Sequence, residues 1–272
     1  MNETFSLKRF GTYFKFDITR LWRKHSKAVM LMAFSGVILY VVAVLFGLLF
    51  GHEYQGPGLI ARFSVFVLAF FVLELYQTRF YGYITDKKEG TDWIMLPASK
   101  TEKFVSMLIN TLIIIPVSFL CTYIFCDWLI CLLDKTAGEA LITGVSTVYG
   151  DIMNFSSFEE LKEIGITPGF FFLMTILGGF ANYLYFLLCG ICFRKNKIFY
   201  AILILFGFST VMSMLSAFII PAIDFEGIIE DMTEEKVKAL FKGFMNVSLI
   251  LSLILAVGLG WGVWQRINTI KH

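Results

Sequence analysis

What the chain lacks does much to set its class. No Gly-x-x-x-x-Gly-Lys-Ser/Thr stretch occurs in it, so binding and hydrolysis of a nucleotide in the P-loop manner is not expected of this polypeptide. Charge is scarce, with 16% of residues Asp, Glu, Lys or Arg, against about 25% in soluble domains. Histidine is nearly missing. His25, His52 and His272 lie at or outside the ends of apolar segments, which disfavours a serine–histidine dyad or a histidine-ligated metal inside a membrane. The cysteines Cys121, Cys126, Cys131, Cys189 and Cys192 fall in or near apolar runs and give no disulfide framework. The first 27 residues are basic and aromatic, without a short apolar core and small-residue cleavage site, so a cleavable signal peptide is not expected. No catalytic residue, metal site or cofactor is expected on this chain, and nothing in it points to nucleic acid.

What remains is apolar: 57% of the residues are hydrophobic, 30 of them phenylalanine, and the mean hydropathy is +0.74. A membrane span needs about 20 mostly apolar residues. Six segments qualify: 28–50, 63–83, 104–133, 169–193, 198–223 and 244–264. The third is long and contains Pro116, which predicts a kink or tilt. Of the 23 lysines and arginines, all but Arg62, Lys135, Lys162, Lys236, Lys238 and Lys242 fall on the side of the two termini. By the positive-inside rule both termini are cytoplasmic. The fold expected is an all-α integral membrane protein with six transmembrane helices, located in the cell (inner) membrane.

Residues 1–27 read as a separate element, an amphipathic helix in the inner interface ahead of a six-helix domain, 28–272. Wound as a helix, Leu7, Phe10, Phe14, Ile18 and Leu21 share one face and Lys8, Thr12, Lys15, Thr19 and Arg23 the other. Asp17 interrupts the apolar face. It is read either as paired with Arg20 or Lys24, or as touching another protein.

The most polar passage between two spans is 85–104, a cytoplasmic elbow. Gly90 and Pro97 punctuate it, and Ser99 with Glu102 three residues on fits a capping box. Asp86–Asp92 reads as a solvated turn. Trp93–Phe104 reads as apolar residues exposed just before a capped helix. Two outer loops, 134–168 and 222–243, are acidic. Ser156/Ser157 with Glu159/Glu160 marks a helix start, and a short helix is expected from about Thr233.

Glu74 is the carboxylate well inside a span, beside Gln77 and Thr78 on the next turn. It reads as a packed polar cluster or as a pathway or gate residue. Asp127 is placed at the outer interface. Cys189 and Cys192 form a Cys-x-x-Cys read as packing, with Arg194 and Lys195 near enough to raise the alternative of a reactive pair. Gly47/Gly51 and Gly258/Gly262 permit close helix approach.

A basic amphipathic first helix, six spans, both ends inside and an ordered elbow after the second span resemble the membrane subunit of a type-2 ABC exporter. The wording Lys8-Arg9-Phe10-Gly11 with Lys15-x-Asp17, and Leu96-Pro97-Ala98-Ser99-Lys100-Thr101-Glu102-Lys103-Phe104, is similar to small bacterial permeases of that class. The resemblance implies two such subunits, identical or not, around a shared pathway, and a separate ABC ATPase that carries the ATP. It implies that Phe10, Phe14, Asp17, Glu89, Trp93, Leu96, Pro97, Ser99 and Glu102 contact that ATPase. The long acidic loop after the third span departs from the pattern. The competing reading is a non-transporting membrane regulator, sensor or assembly protein that binds a partner through its acidic outer loops.

Overall fold

The computed structural model describes residues 5–50, 56–153, 168–222 and 234–270. Among these the chain forms α-helices and no β-strand. They are α1 (Leu7–Ala33), α2 (Ser35–Phe50), α3 (Leu59–Phe80), α4 (Lys87–Met95), α5 (Lys100–Ile109), α6 (Ile115–Leu133), α7 (Leu141–Met153), α8 (Pro168–Cys192), α9 (Lys197–Ala222) and α10 (Glu234–Thr269). Five helical stretches are long and apolar enough to cross a membrane, and six if α1 and α2 count together as one bent span. The helices are those of a multi-pass membrane protein.

The breaks in the helices have local causes. Between α1 and α2 the axis turns by 46°, where Phe34 is followed by the Ser35-Gly36 pair, a recurrent site of helix kinks. Gly36 lets Tyr123 pack closely there, since a Cβ at this position would lie 3.0 Å from the Tyr123 hydroxyl. The first predicted span, 28–50, is therefore divided at Phe34. The irregularity expected from Pro116 takes the form of a π turn, Asn110–Ile114, just ahead of it. Proline has no N–H to complete the helical ladder and crowds the preceding turn, which a widened turn accommodates. α5, the π turn and α6 together make the long third span.

α8 packs along both α3 and α10. At the α3–α8 seam a Cβ on Gly190 would come within 2.5 Å of the Thr78 carbonyl oxygen, so the two backbones meet directly there. The core runs from this seam through Leu73, Phe80 and Leu187 to Phe119 and Tyr123 of α6 and Leu21 of α1. Phe66, Phe70, Phe119 and Tyr123 form an aromatic group within it.

The buried stripe of α1 is Tyr13, Asp17, Leu21, His25, Val29 and Ala33, one residue every fourth. This differs from the expected apolar face: Leu7 is 79% exposed, and Phe10, Phe14 and Ile18 are half-buried. α1 also continues without a break past residue 27. A helix-start reading from Thr233 agrees with α10, which begins at Glu234 but runs on unbroken to Thr269. Helix α7, in the loop after the third span, was not expected. The Ser156/Ser157 and Glu159/Glu160 start lies outside the described residues.

Candidate functional site: the elbow and the first helix

The elbow and the helix ends that flank it are held against α1 by three sets of polar contacts. Each set has one member in the first 25 residues and another more than 60 residues later.

The first centres on Glu102. The capping box expected from sequence is formed: the Glu102 backbone N–H donates to Ser99 Oγ at 3.2 Å, and the Ser99 N–H donates to Glu102 Oε2 at 2.8 Å. The same carboxylate also accepts from Arg9, whose Nε and Nη2 reach it at 2.8 and 2.7 Å, and from the Ser6 N–H at 2.9 Å. It thus ties off the starts of two helices at once, where negative charge is favoured.

The second centres on Asp17, buried to 2% exposure. Its Oδ2 accepts from Tyr81 Oη at 2.8 Å, Ser106 Oγ at 2.6 Å and Asn110 Nδ2 at 3.0 Å. α1, the end of α3 and the α5–π segment are joined at this one oxygen. Burial raises the Asp17 carboxyl above its ordinary range, and the three hydrogen bonds pull it back. The expectation that Asp17 pairs with Arg20 or Lys24, or reaches another protein, is corrected. Arg20 and Lys24 instead meet Glu89, at 3.8 and 2.7 Å, and Asp17 points into the chain's own interior.

That ion cluster around Glu89 is the third set. The hydrogen bond from Lys24 holds the Glu89 carboxyl below its usual range. Arg20 also stacks 4.1 Å from the Tyr83 ring centroid. One turn further along α1, His25 is buried against Tyr76 and Phe80. Burial, with Lys24 and Arg79 adding to it, lowers its pKa to about 4, so the ring is neutral.

Asp86–Asp92 is solvent-facing at Asp86, Thr91 and Asp92, as expected, but it is not a turn. It belongs to α4, a nine-residue helix that Gly90 does not interrupt, since the Gly90 N–H donates to the Asp86 carbonyl at 2.9 Å. Trp93 is buried as well, and its indole N–H donates to Tyr13 Oη at 3.2 Å. Of the nine residues singled out for partner contact, Asp17, Trp93, Ser99 and Glu102 are buried within this chain. Phe10, Phe14, Glu89 and Leu96 are half-buried, and Pro97 is exposed. Met95, which was not singled out, is 77% exposed between Trp93 and Pro97. The apolar surface the elbow offers is Met95, Leu96 and Pro97.

Two polar groups lie away from the elbow. Glu74 is buried on α3 with Gln77 and Thr78. Neither side-chain amide atom of Gln77 has a hydrogen-bond partner among the described residues, and the same holds for the Tyr183 hydroxyl on α8. Asp127, near one end of α6, is not left to solvent. It is buried and paired with Arg62 at 2.6 Å, and its second oxygen accepts the Leu141 N–H at 2.6 Å. Arg62 also donates to the carbonyls of Pro57, Ala137 and Glu139, so this pair clamps the start of α3 and the turn that leads into α7. The sequence held a signal for it, a lone arginine and a lone aspartate assigned to the same side of the bundle.

The cysteines are free thiols, Cys189 buried and Cys192 exposed. A Cβ on Gly262 would lie 3.2 Å from the Leu188 side chain, whereas one on Gly258 would meet nothing within 4 Å. No group of three or more His, Cys, Asp or Glu side chains suited to a metal ion occurs among the described residues. No family model, curated protein or solved structure matches the chain.

Proposed function

We propose that this chain is the membrane-spanning permease subunit of an ATP-driven exporter in a cell membrane, with both termini cytoplasmic. ATP is bound and hydrolysed by a separate ABC ATPase subunit. The observation that carries the reading is the construction of the elbow. A connection between two spans that served only as a tether would have no need of a capped helix, a buried tryptophan and polar ties to α1 through both Glu89 and Glu102. Built this way, α1, the end of α3, α4 and the start of α5 form one body. A push on that body is passed to the long third span through the Asp17–Ser106–Asn110 contacts, which sit at the π turn.

In this reading the ATPase meets Met95, Leu96 and Pro97, together with the half-buried Phe10, Phe14 and Glu89. Asp17, Trp93, Ser99 and Glu102 serve the interface by shaping it. The nearly bare apolar flank of α9 is the surface available to a second permease subunit and to lipid. Glu74, with the unpartnered Gln77 and Tyr183, is the polar point on the seam between α3 and α8 where a pathway or gate would lie.

The test is co-purification with an ABC ATPase when the chain is expressed together with the genes that flank its own. Wild type should recover the ATPase from detergent extracts. Met95→Asp with Pro97→Asp should lose it while inserting normally, because both side chains are exposed and their replacement leaves the body intact. Failure of the wild-type chain to recover any ATPase would remove the reading.

A further inference from the structure

Between the elbow and the end of α10 lies a cavity of about 470 Å³, within the usual range of small-molecule sites. Its polar lining is Ser99, Lys100, Thr101, Lys103 and Asn268, and no aspartate or glutamate lines it. Lys103 sets its chemistry. The side chain is 4% exposed. Its ammonium donates to the carbonyls of Trp93 at 2.8 Å and Ile94 at 3.2 Å, and sits 4.8 Å from the Trp93 ring centroid. An ammonium has three donors, and none of the ion pairs among the described residues involves Lys103.

The other buried charged groups outside the Glu74 seam are answered. Arg62 has Asp127, Glu102 has Arg9, and Asp17 has its three donors. Lys103 has the carbonyl ends of α4 and the face of Trp93, which offset part of the cost of burying a cation and leave it without an anionic partner among the described residues. Lys100 brings a second ammonium to the mouth of the cavity. It donates to the Asn268 carbonyl at 3.4 Å and makes no ion pair among the described residues. Glu102, the nearest carboxylate in sequence, is fully engaged by Arg9, Ser6 and Ser99.

The opposite wall is apolar. Trp264 and Ile267 of α10 face the cavity, and Trp264 packs edge-on against Phe104 at 5.3 Å. Two of the helices apolar enough to span a membrane end here, Lys100–Leu133 and Lys238–Thr269. Two lysines and two tryptophans thus meet at one end of the bundle, where a bilayer places its phosphates and where tryptophan is enriched.

We propose that this cavity binds the headgroup of an anionic phospholipid, with the phosphate between Lys103 and Lys100 and the glycerol portion against Trp264 and Ile267. The lipid supplies the counter-charge that Lys103 lacks and ties the elbow to the last helix. The inference needs the helices to span a bilayer but does not depend on an ATPase partner.

The test uses the full chain purified in neutral detergent without any partner. Brominated phosphatidylglycerol, brominated phosphatidylcholine, inorganic phosphate and a polyglutamate peptide are titrated separately, reading tryptophan quenching for the lipids and melting temperature for all four. Phosphatidylglycerol should quench saturably and raise the melting temperature; phosphatidylcholine, phosphate and the peptide should do neither at the same concentrations. Lys100→Gln, an exposed change, should weaken phosphatidylglycerol binding about fivefold, and Lys103→Met should weaken it further. Should Lys103→Met fail to fold, Lys100→Gln decides alone. Equal binding of the two lipids, or unchanged phosphatidylglycerol binding in Lys100→Gln, overturns the proposal. So does a phosphate effect that matches the lipid's, which makes this a free-anion site, or a response to the peptide alone, which makes it a protein-docking site.

Discussion

Replacing Asp17 by alanine strands three donors that now converge on a single oxygen: Tyr81 Oη, Ser106 Oγ and Asn110 Nδ2. A buried donor left without an acceptor costs about 1–3 kcal/mol. Part of that loss is recovered, because Asn110 Oδ1 has no partner among the described residues and a freed hydroxyl can turn to it. The net expectation is a loss of roughly 2–4 kcal/mol, a drop in melting temperature on the order of 10 °C at a few degrees per kcal/mol. Asp17→Asn keeps the size and one acceptor oxygen, so it should cost less than half as much.

The two variants also separate by pH. Burial raises the folded-state pKa of Asp17 above the unfolded value of about 3.8. Between the two values the folded chain binds more protons than the unfolded one, so this group's contribution to stability falls as pH rises through that window and is level above it. Asp17→Asn should abolish that slope. Melting of the purified protein followed by thiol-reactive fluorescence, across a pH series, reads both effects. Asp17→Ala within about 0.5 kcal/mol of wild type, a change typical of an unremarkable surface site, would refute the hub, as would an unchanged pH slope in Asp17→Asn.

Arg62→Met alone leaves Asp127 buried and unpaired and should cost about 3–5 kcal/mol; Arg62→Met with Asp127→Leu should melt higher than Arg62→Met alone, and simple additivity of the two losses would show that the pair is not coupled. Gly190→Ala places a methyl 2.5 Å from the Thr78 carbonyl and should cost about 1–3 kcal/mol by forcing α3 and α8 apart; an unchanged melting temperature would mean the seam is looser than described. Thr91→Cys, in a background without native cysteines, should react with impermeant maleimide only in inverted vesicles, and labelling from the outside of intact cells would reverse the orientation proposed for the elbow.

What could be read from the chain was local. Ser99 and Glu102 are three residues apart, and the cap they imply is present because both halves lie within one turn. Pro116 announces a fault in its helix by its own chemistry. The apolar runs give the helices by length alone, and the merging of 234–269 into one helix adds only that no residue there breaks it. What could not be read was pairing over distance. Asp17 looked like a flaw in an apolar face because that face was drawn from the large hydrophobic residues. The true stripe follows the residues that fit beneath α3 and α5, and nothing within 60 positions of Asp17 identifies Tyr81, Ser106 and Asn110 as its donors. Trp93 and Glu102 were taken as surface for the same reason, since their partners Tyr13 and Arg9 lie in the first helix. Asp127 was placed without its partner, because Arg62 lies 65 positions away. Lys103 gave no signal at all: its burial follows from how the start of α5 folds back under the end of α4.

The reading of the elbow as a docking surface stands or falls on one comparison. Wild-type chain and the Met95→Asp/Pro97→Asp variant, each expressed together with the genes that flank its own and matched for membrane insertion and melting temperature, are purified through a tag on this chain and assayed for a co-purifying ABC ATPase. The ATPase should accompany wild type in stoichiometric amount and be lost from the variant. Equal recovery with both would place the partner elsewhere, and recovery with neither would mean that this chain is not the membrane half of such a transporter.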